Sequence, residues 1–322
     1  MIWKKIPLKT LDGETVPAQA PLIVSASRAT DIPAFYADWL LQRLKEGYVL
    51  WKNPYNGKFL YVSFSETRVI VFWSKNPAPI LDCLDEIGEI IPNFYFQYTL
   101  NDYEQEKIEP ALPPLEQRIE TFIRLSEKIG KEKVVWRFDP LILTQTTGVD
   151  ELLKKVETTG NQLKNHTTKL VFSFVDIEQY RKVRQNLSKS IRKYREFDED
   201  SMQMFAAGLS RLNGNWQFEI GTCAEKISLE AYGIKHNKCI DDELMIKLFP
   251  ADNALMNFLG ADTGRQETSP FPAVRREQSI RLKDKGQRPL CRCIASKDIG
   301  MYDTCPHLCE YCYANYSGSH TV

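Results

Sequence analysis

The chain has 322 residues, 43% of them hydrophobic and 11% aromatic, enough to bury a sizeable core in one large or two ordinary domains. Lys plus Arg and Asp plus Glu both number 42, which excludes a global charge field drawing the protein to nucleic acid or membrane. The longest apolar runs, such as Val69 to Trp73, are too short to span a bilayer, and the opening MIWKKIPLKTLDGETVPAQAP lacks an apolar secretion core, so a cytoplasmic protein is expected.

Short β-rich runs alternate with helical patterns, as βα units around a parallel sheet require. The first strand is predicted over Leu22 to Ala26, and its exit, SASRATDIP, carries Ser25, Ser27, Arg28, Thr30 and Asp31. A helix over Ala34 to Glu46 follows. The second strand, Val69 to Trp73, runs into FWSKNP with Ser74, Lys75 and Asn76, then into a helix over Pro79 to Ile87. Cys83 lies in that helical stretch and is expected to be buried as a small hydrophobe. The third strand, Phe94 to Thr99, offers Gln97, Thr99 and Asn101. Pro113-Pro114 opens the next helix and Gly130 stops it after Ile129. The fourth strand, Val134 to Phe138, ends in Arg137 and Asp139, before a helix over Asp150 to Lys164. The fifth, Leu170 to Phe174, presents Ser173 and Asp176. Two helices, broken near Phe197 to Asp198, fill Ile177 to Leu212. The sixth strand, Trp216 to Thr222, brings Glu219, Thr222, Cys223 and Glu225, and a helix is expected over Asp241 to Phe249.

Six such units predict an α/β fold, TIM-barrel-like or a partial (β/α)6 barrel, over residues 1–249. No GxGxxG follows the first strand, and no P-loop is present. Residues 250–289 read as an irregular excursion. Its second half collects Arg275, Arg276, Arg281, Lys283, Lys285 and Arg288, as a solvated linker or a phosphate contact would. Residues 290–322 form a cysteine-rich, metal-binding segment expected to pack on the barrel mouth.

Parallel barrels gather their chemistry where strands exit. The candidate catalytic residues are therefore Arg28, Asp31, Lys75, Arg137 and Asp139, with Asn76 and Gln97 beside them as cofactor contacts. Arg28, Lys75 or Arg137 suits an anionic small molecule or a cofactor carboxylate. Arg137 and Asp139 read equally well as a structural pair before Pro140. With four histidines in the chain and no Ser-His-Asp or HExxH arrangement, hydrolytic triads and zinc-peptidase chemistry are disfavoured.

Seven of the eight cysteines lie beyond residue 220. Cys305-x₃-Cys309-x₂-Cys312, with Tyr311 before the last, puts three thiols in one loop. Three thiolates leave one iron of a cubane cluster without a protein ligand, whereas structural clusters use four. The same thiols with His307 would also satisfy zinc. Cys291 and Cys293, two apart, share a side of an extended segment. With Cys223 and Cys239 they make a second, closed set for an auxiliary cluster, structural zinc or free thiols. His236, before Cys239, reads as a turn residue.

The run CPHLCEYCYAN resembles the cluster loop of the radical S-adenosylmethionine superfamily, in particular its spore-photolyase-like branch. The resemblance implies a [4Fe–4S] cluster at Cys305, Cys309 and Cys312, S-adenosylmethionine on its open iron, Tyr311 at the cofactor, and radical chemistry on an unknown polar substrate. That substrate is a small molecule or a nucleic acid, and an unknown electron donor is implied. The loop departs from the superfamily in following the barrel rather than its first strand, and no Gly-Gly-Glu motif appears. Almost end to end, through SASRATDIPAFY, FWSKNPAP, YFQYTLNDY, VVWRFDPLIL, TCAE, YGIKHNKCIDDEL and CRCIASKDIGMYDTCPHLCEYCYAN, the chain also resembles a bacterial family, the domain of unknown function 1848. The other class of function weighed is a zinc- or cluster-stapled protein that binds or processes nucleic acid without a radical.

Overall fold

The structure, a computed structural model, describes residues 3–189, 193–261 and 276–315. Eight strands build its central sheet: β1 (Ile23–Ala26), β2 (Val69–Ser74), β3 (Asn93–Thr99), β4 (Val134–Leu141), β5 (Lys169–Phe174), β6 (Glu219–Thr222), β7 (Lys235–His236) and β8 (Lys297–Asp298). Their order is β7-β6-β5-β4-β3-β2-β1-β8, and every ladder is parallel. Parallel neighbours need long crossovers. Helices Ala37–Glu46, Leu84–Ile90, Leu115–Ile129, Val149–Leu163 and Glu199–Asn213 lie in those crossovers, close to their expected positions. The Pro79 to Ile87 prediction opens instead as a 3₁₀ turn over Ala78–Cys83. Cys83 ends that turn half-buried, not in the core, with its thiol facing Asp38.

The six predicted strands all form, because each is a run buried on both faces. Alternation then divides the core in two. Val24, Ile70, Phe72, Phe94 and Phe96 pack among the crossover helices. Ile23, Val69, Val71 and Tyr95 point the other way, onto Met245 and Ile246 of helix Asp242–Leu248 and Leu255, Met256 and Leu259 of helix Asn253–Leu259. The latter helix begins inside the stretch expected to be irregular. Asp252 caps it through Leu255 N (3.0 Å) and pairs with Arg68 at 2.8 Å.

No closed barrel forms among the described residues. The edge strands β7 and β8 are two residues each, and no ladder joins them. The segment after Arg288 passes there instead, with Ile294 N donating to Ile240 O at 3.1 Å. A separate four-stranded sheet, in the order Lys4–Lys9, Thr15–Ala20, Phe59–Ser63, Tyr48–Lys52, was not expected. Pro7 and Pro17, which argue against central strands, sit opposite each other in it. Among the described residues, no helix is long and apolar enough to cross a membrane.

One close approach fixes a crossover helix. Trp216 packs against Gly160, where an added Cβ would stand 2.6 Å from Trp216 Cζ2. Trp216 Nε1 also donates to Asn161 Oδ1 at 2.9 Å, so the ring has little freedom to retreat. Overpacking costs about 1–3 kcal/mol, against about 1 kcal/mol gained in helix propensity. Gly160→Ala is therefore expected to lower stability in urea unfolding; an increase would show that the ring yields freely.

Candidate metal centres at the strand ends

The C-terminal ends of the strands open into one cavity of about 670 Å³. Both cysteine sets line it: Cys305, Cys309 and Cys312, and Cys223, Cys239, Cys291 and Cys293. The sheet brings β6, β7 and the chain before β8 to the same opening, which is why thiols so far apart in sequence meet.

The terminal loop is tied over the mouth at several points. Tyr36 Oη donates to Thr304 O at 2.7 Å, and Glu310 N to Ile108 O at 2.9 Å. Asn315 Nδ2 donates to Cys305 O at 2.5 Å, and Asn186 Nδ2 to Cys312 O at 3.2 Å. Tyr311 is buried, and its hydroxyl donates to Glu109 while accepting from Lys75 Nζ (2.7 Å) and Asn101 Nδ2 (3.0 Å). Lys75 itself pairs with Glu109 at 2.8 Å, and Arg118 approaches Glu109 from the other side at 3.8 Å. Burial opposes ionisation of Glu109, yet Lys75 and Arg118 hold its carboxyl below the usual value.

Asp31 is saturated. Oδ1 accepts from Ala34 N (3.0 Å) and Ser74 Oγ (2.7 Å); Oδ2 accepts from Lys75 N (2.7 Å) and faces His307 Nε2 at 2.9 Å. It braces the β1 and β2 ends against the cysteine loop. Asn76 is turned into its own loop, its Oδ1 facing Ala78 N at 3.4 Å, and does not line the cavity. Gln97 is buried beneath the cavity wall, donating to Cys239 O at 2.9 Å and accepting from Arg137 Nη1 at 3.2 Å. Arg137 and Asp139 both line the cavity and pair directly; Asp139 also accepts from Ser173 Oγ. The structural reading of that pair and the site reading thus describe the same two side chains.

Two thiols of the quartet approach closely. The Cys223 and Cys239 sulfurs stand 3.7 Å apart. Cys293 Sγ accepts from Cys239 N at 3.2 Å and Ile240 N at 3.4 Å, while Cys239 Sγ accepts from Arg137 Nη1 at 2.9 Å. Tyr95 Oη and Gln97 Nε2 hold Cys239 O at 2.8 and 2.9 Å, fixing the turn that carries the thiol. Donors aimed at sulfur are the usual outer partners of metal-bound thiolates, where they stabilise charge and tune potential. In the triad, burial pushes Cys305 up to about 11 and holds Cys309 well above the usual thiol value. Buried thiols keep their protons unless a cation replaces them.

Thiols, with one imidazole, are donor types that bind zinc and iron–sulfur clusters. Among the described residues no three His, Cys, Asp or Glu side chains converge closely enough on one point for a single ion. At the quartet the 3.7 Å approach matches the edge of a tetrahedron around one ion, since Zn–S bonds of about 2.3 Å place two thiolates about 3.8 Å apart.

A family model described as a domain of unknown function (DUF1848) matches residues 23–314. The chain belongs to this family. The match spans β1 to the last cysteine of the terminal loop and so includes both thiol sets of the DUF1848 chain. No curated protein and no solved structure matches.

Sequence reading missed Glu109, Trp73 and Lys297. Glu109 sits in a loop with no motif, and Trp73 reads as an ordinary strand residue. Its ring underlies two guanidinium groups, Arg28 at 5.3 Å and Arg137 at 5.2 Å. The basic stretch near residue 280 also has a different use. Arg288 lines the cavity, pairs with Asp176 at 2.6 Å and donates to Cys223 O at 3.3 Å. Arg275 lies outside the described residues.

Proposed function

We propose that this protein is an iron–sulfur enzyme of the radical S-adenosylmethionine type acting on a polar substrate. Cys305, Cys309 and Cys312 would hold a [4Fe–4S] cluster with one open iron, and Cys223, Cys239, Cys291 and Cys293 a second, closed centre. The observation that carries this reading is that all three loop cysteines line the strand-end cavity. When bound there, the cluster supplies the electron that splits the cofactor's sulfonium. The chain's own residues do the rest. The six βα units wall the cavity as they would in a barrel, and Tyr311, held by Lys75 and Glu109, fixes the loop. Trp73 with Arg28 and Arg137 offers a flat, cationic surface for polar groups. The cytoplasm, a reducing compartment, suits these unpaired thiols.

A second reading, single ions, draws on one contact at each thiol set, although among the described residues no third donor converges with either. His307 Nδ1 is buried without a partner while Nε2 faces Asp31, the arrangement of a metal-bound imidazole backed by a carboxylate. The short approach of Cys223 to Cys239 likewise favours one tetrahedral ion at the quartet.

The deciding experiment is anaerobic purification, followed by iron, sulfide and zinc analysis and by incubation with S-adenosylmethionine and a strong reductant. Brown, sulfide-containing protein that releases 5′-deoxyadenosine is the expected result. Colourless protein loaded with zinc alone would end the radical proposal.

A further inference from the structure

One side of the cavity mouth is aromatic. The turn between strands Tyr48–Lys52 and Phe59–Ser63 reaches the cavity, where Pro54 and Tyr55 line it. Two bonds of 2.9 Å, Asn53 N to Lys58 O and Gly57 N to Asn53 O, close that turn, and Asn53 Oδ1 accepts from Tyr55 N at 2.9 Å. The Tyr55 residue is 88% exposed, so its ring contributes almost nothing to the core.

Two further tyrosines of the same cavity come from the terminal segment. Asp303 N donates to Ala314 O at 3.2 Å, which brings the backbone at Tyr302 beside that at Tyr313. Trp51 Nε1 donates to Gly300 O at 3.0 Å and so ties the hairpin to the chain just before Tyr302. Burial raises the Tyr302 hydroxyl above the usual phenol value, Tyr55 adds to the rise and Arg28 opposes it, so both lie near that ring. Tyr313 has Tyr180 as a ring neighbour at 5.8 Å, whereas neither Tyr55 nor Tyr302 stacks on another ring among the described residues. Lys182 Nζ covers one face of Tyr302 at 5.5 Å, which leaves the other.

Arg28 stands beside these rings. Its carbonyl accepts from Tyr313 Oη at 2.8 Å, and its guanidinium rests over Trp73 at 5.3 Å. Asp284 at 3.9 Å and the nearby Asp298 balance its charge. The guanidinium nevertheless makes no hydrogen bond among the described residues, and its Nη2 is buried without a partner. Unused donors on a balanced cation suit a neutral acceptor edge better than a second anion. Donation by Arg to a base carbonyl is such a contact, and aromatic side chains are the platforms on which bases stack.

We propose that Tyr55, Tyr302 and Tyr313 stack a nucleobase of the substrate and that Arg28 donates to the carbonyl edge of that base. Adenine has no carbonyl, which separates this subsite from any place for the adenosyl group of a cofactor. The proposal names the substrate class for the cavity and rests on the reading of that cavity as the active site. A nucleoside and a single strand present the same ring.

The test uses the whole protein, purified anaerobically with its metal, and needs neither reductant nor turnover. Calorimetry follows the binding of guanosine, cytidine, thymidine and adenosine, and of oligothymidylate and oligodeoxyadenylate of about eight nucleotides. Binding of a carbonyl-bearing nucleoside in preference to adenosine is the expected result. Binding of oligothymidylate alone also supports the proposal and identifies a strand as the source of the base. Binding of none would overturn it. So would adenosine binding as tightly as the others, which would assign the rings to the cofactor. Tyr55→Ala, at so exposed a position, should leave the fold intact and weaken the bound nucleoside or strand about tenfold, while Tyr55→Phe should retain it. Arg28→Met should abolish the preference over adenosine. Unchanged affinity in both Tyr55→Ala and Tyr302→Ala would also overturn the proposal. Because no radical is involved, failure here is separable from absence of 5′-deoxyadenosine in the functional assay.

Discussion

Cys309→Ala is expected to lose about four irons per chain, the content of one cubane, together with all cleavage of S-adenosylmethionine. The quartet's metal should remain. The two thiol sets hang from different anchors: the loop from Tyr36, Glu109 and Asn186, the quartet from Tyr95, Gln97 and Arg137. Cys239→Ala should give the reverse loss, and whether zinc or iron leaves with it tells which ion the quartet holds. Metal and sulfide analysis of the two variants beside wild type makes the comparison. Equal loss from both sites in Cys309→Ala would mean that the sets form one cooperative unit, contrary to the separate anchors.

Glu109→Ala is expected to be the most destabilising substitution near the site. It would leave Lys75 and Arg118 as cations with their shared carboxylate gone; Arg118 is 2% exposed and the Lys75 side chain 18%. Removing one partner of a buried pair costs about 3–5 kcal/mol. The pair Lys45–Glu86 is equally short at 2.6 Å but more than half exposed, and its loss should cost no more than about 1 kcal/mol. Denaturant unfolding of the metal-free variants compares the two directly. The pH dependence follows from the direction of the Glu109 shift. Its carboxyl lies lower in the folded state than its ordinary 4.5, so its stabilisation is complete above 4.5. It is lost as pH falls through the lower, folded value. The gap between wild type and Glu109→Gln should accordingly close in acid. A gap that widened in acid would mean that the carboxylate is a burden in the fold.

Gly300 shows how tightly the terminal segment is fitted. A methyl group there would collide with the Ser27 side chain, at the exit of β1 and next to Arg28. Trp51 Nε1 donates to Gly300 O at 3.0 Å, so the carbonyl is fixed as well. The cysteine loop thus begins from a fixed backbone position, and Trp51 serves both that position and, through its ring, the amine of Lys297.

The sequence by itself determined the parallel α/β character, because short β-rich, mostly apolar runs alternate with stretches of helical periodicity. It also divided the seven cysteines beyond residue 220 into a loop of three and a remainder of four, from spacing within the loop and counting along the chain. Only the tertiary structure decided which strand-end charges are free. Lys75, Arg137 and Asp31 look alike in sequence to any exposed polar exit, yet each is matched by a partner at least two residues away, and for Lys75 and Asp31 by partners in distant loops. Lys297 reads as one more surface lysine until a two-residue edge strand lays it over Trp51. Short edge strands have too few residues to show periodicity, and the partners of a charge are set by which loops the sheet order brings together. That order, with β8 beside β1, is a property of long-range packing that no local pattern encodes.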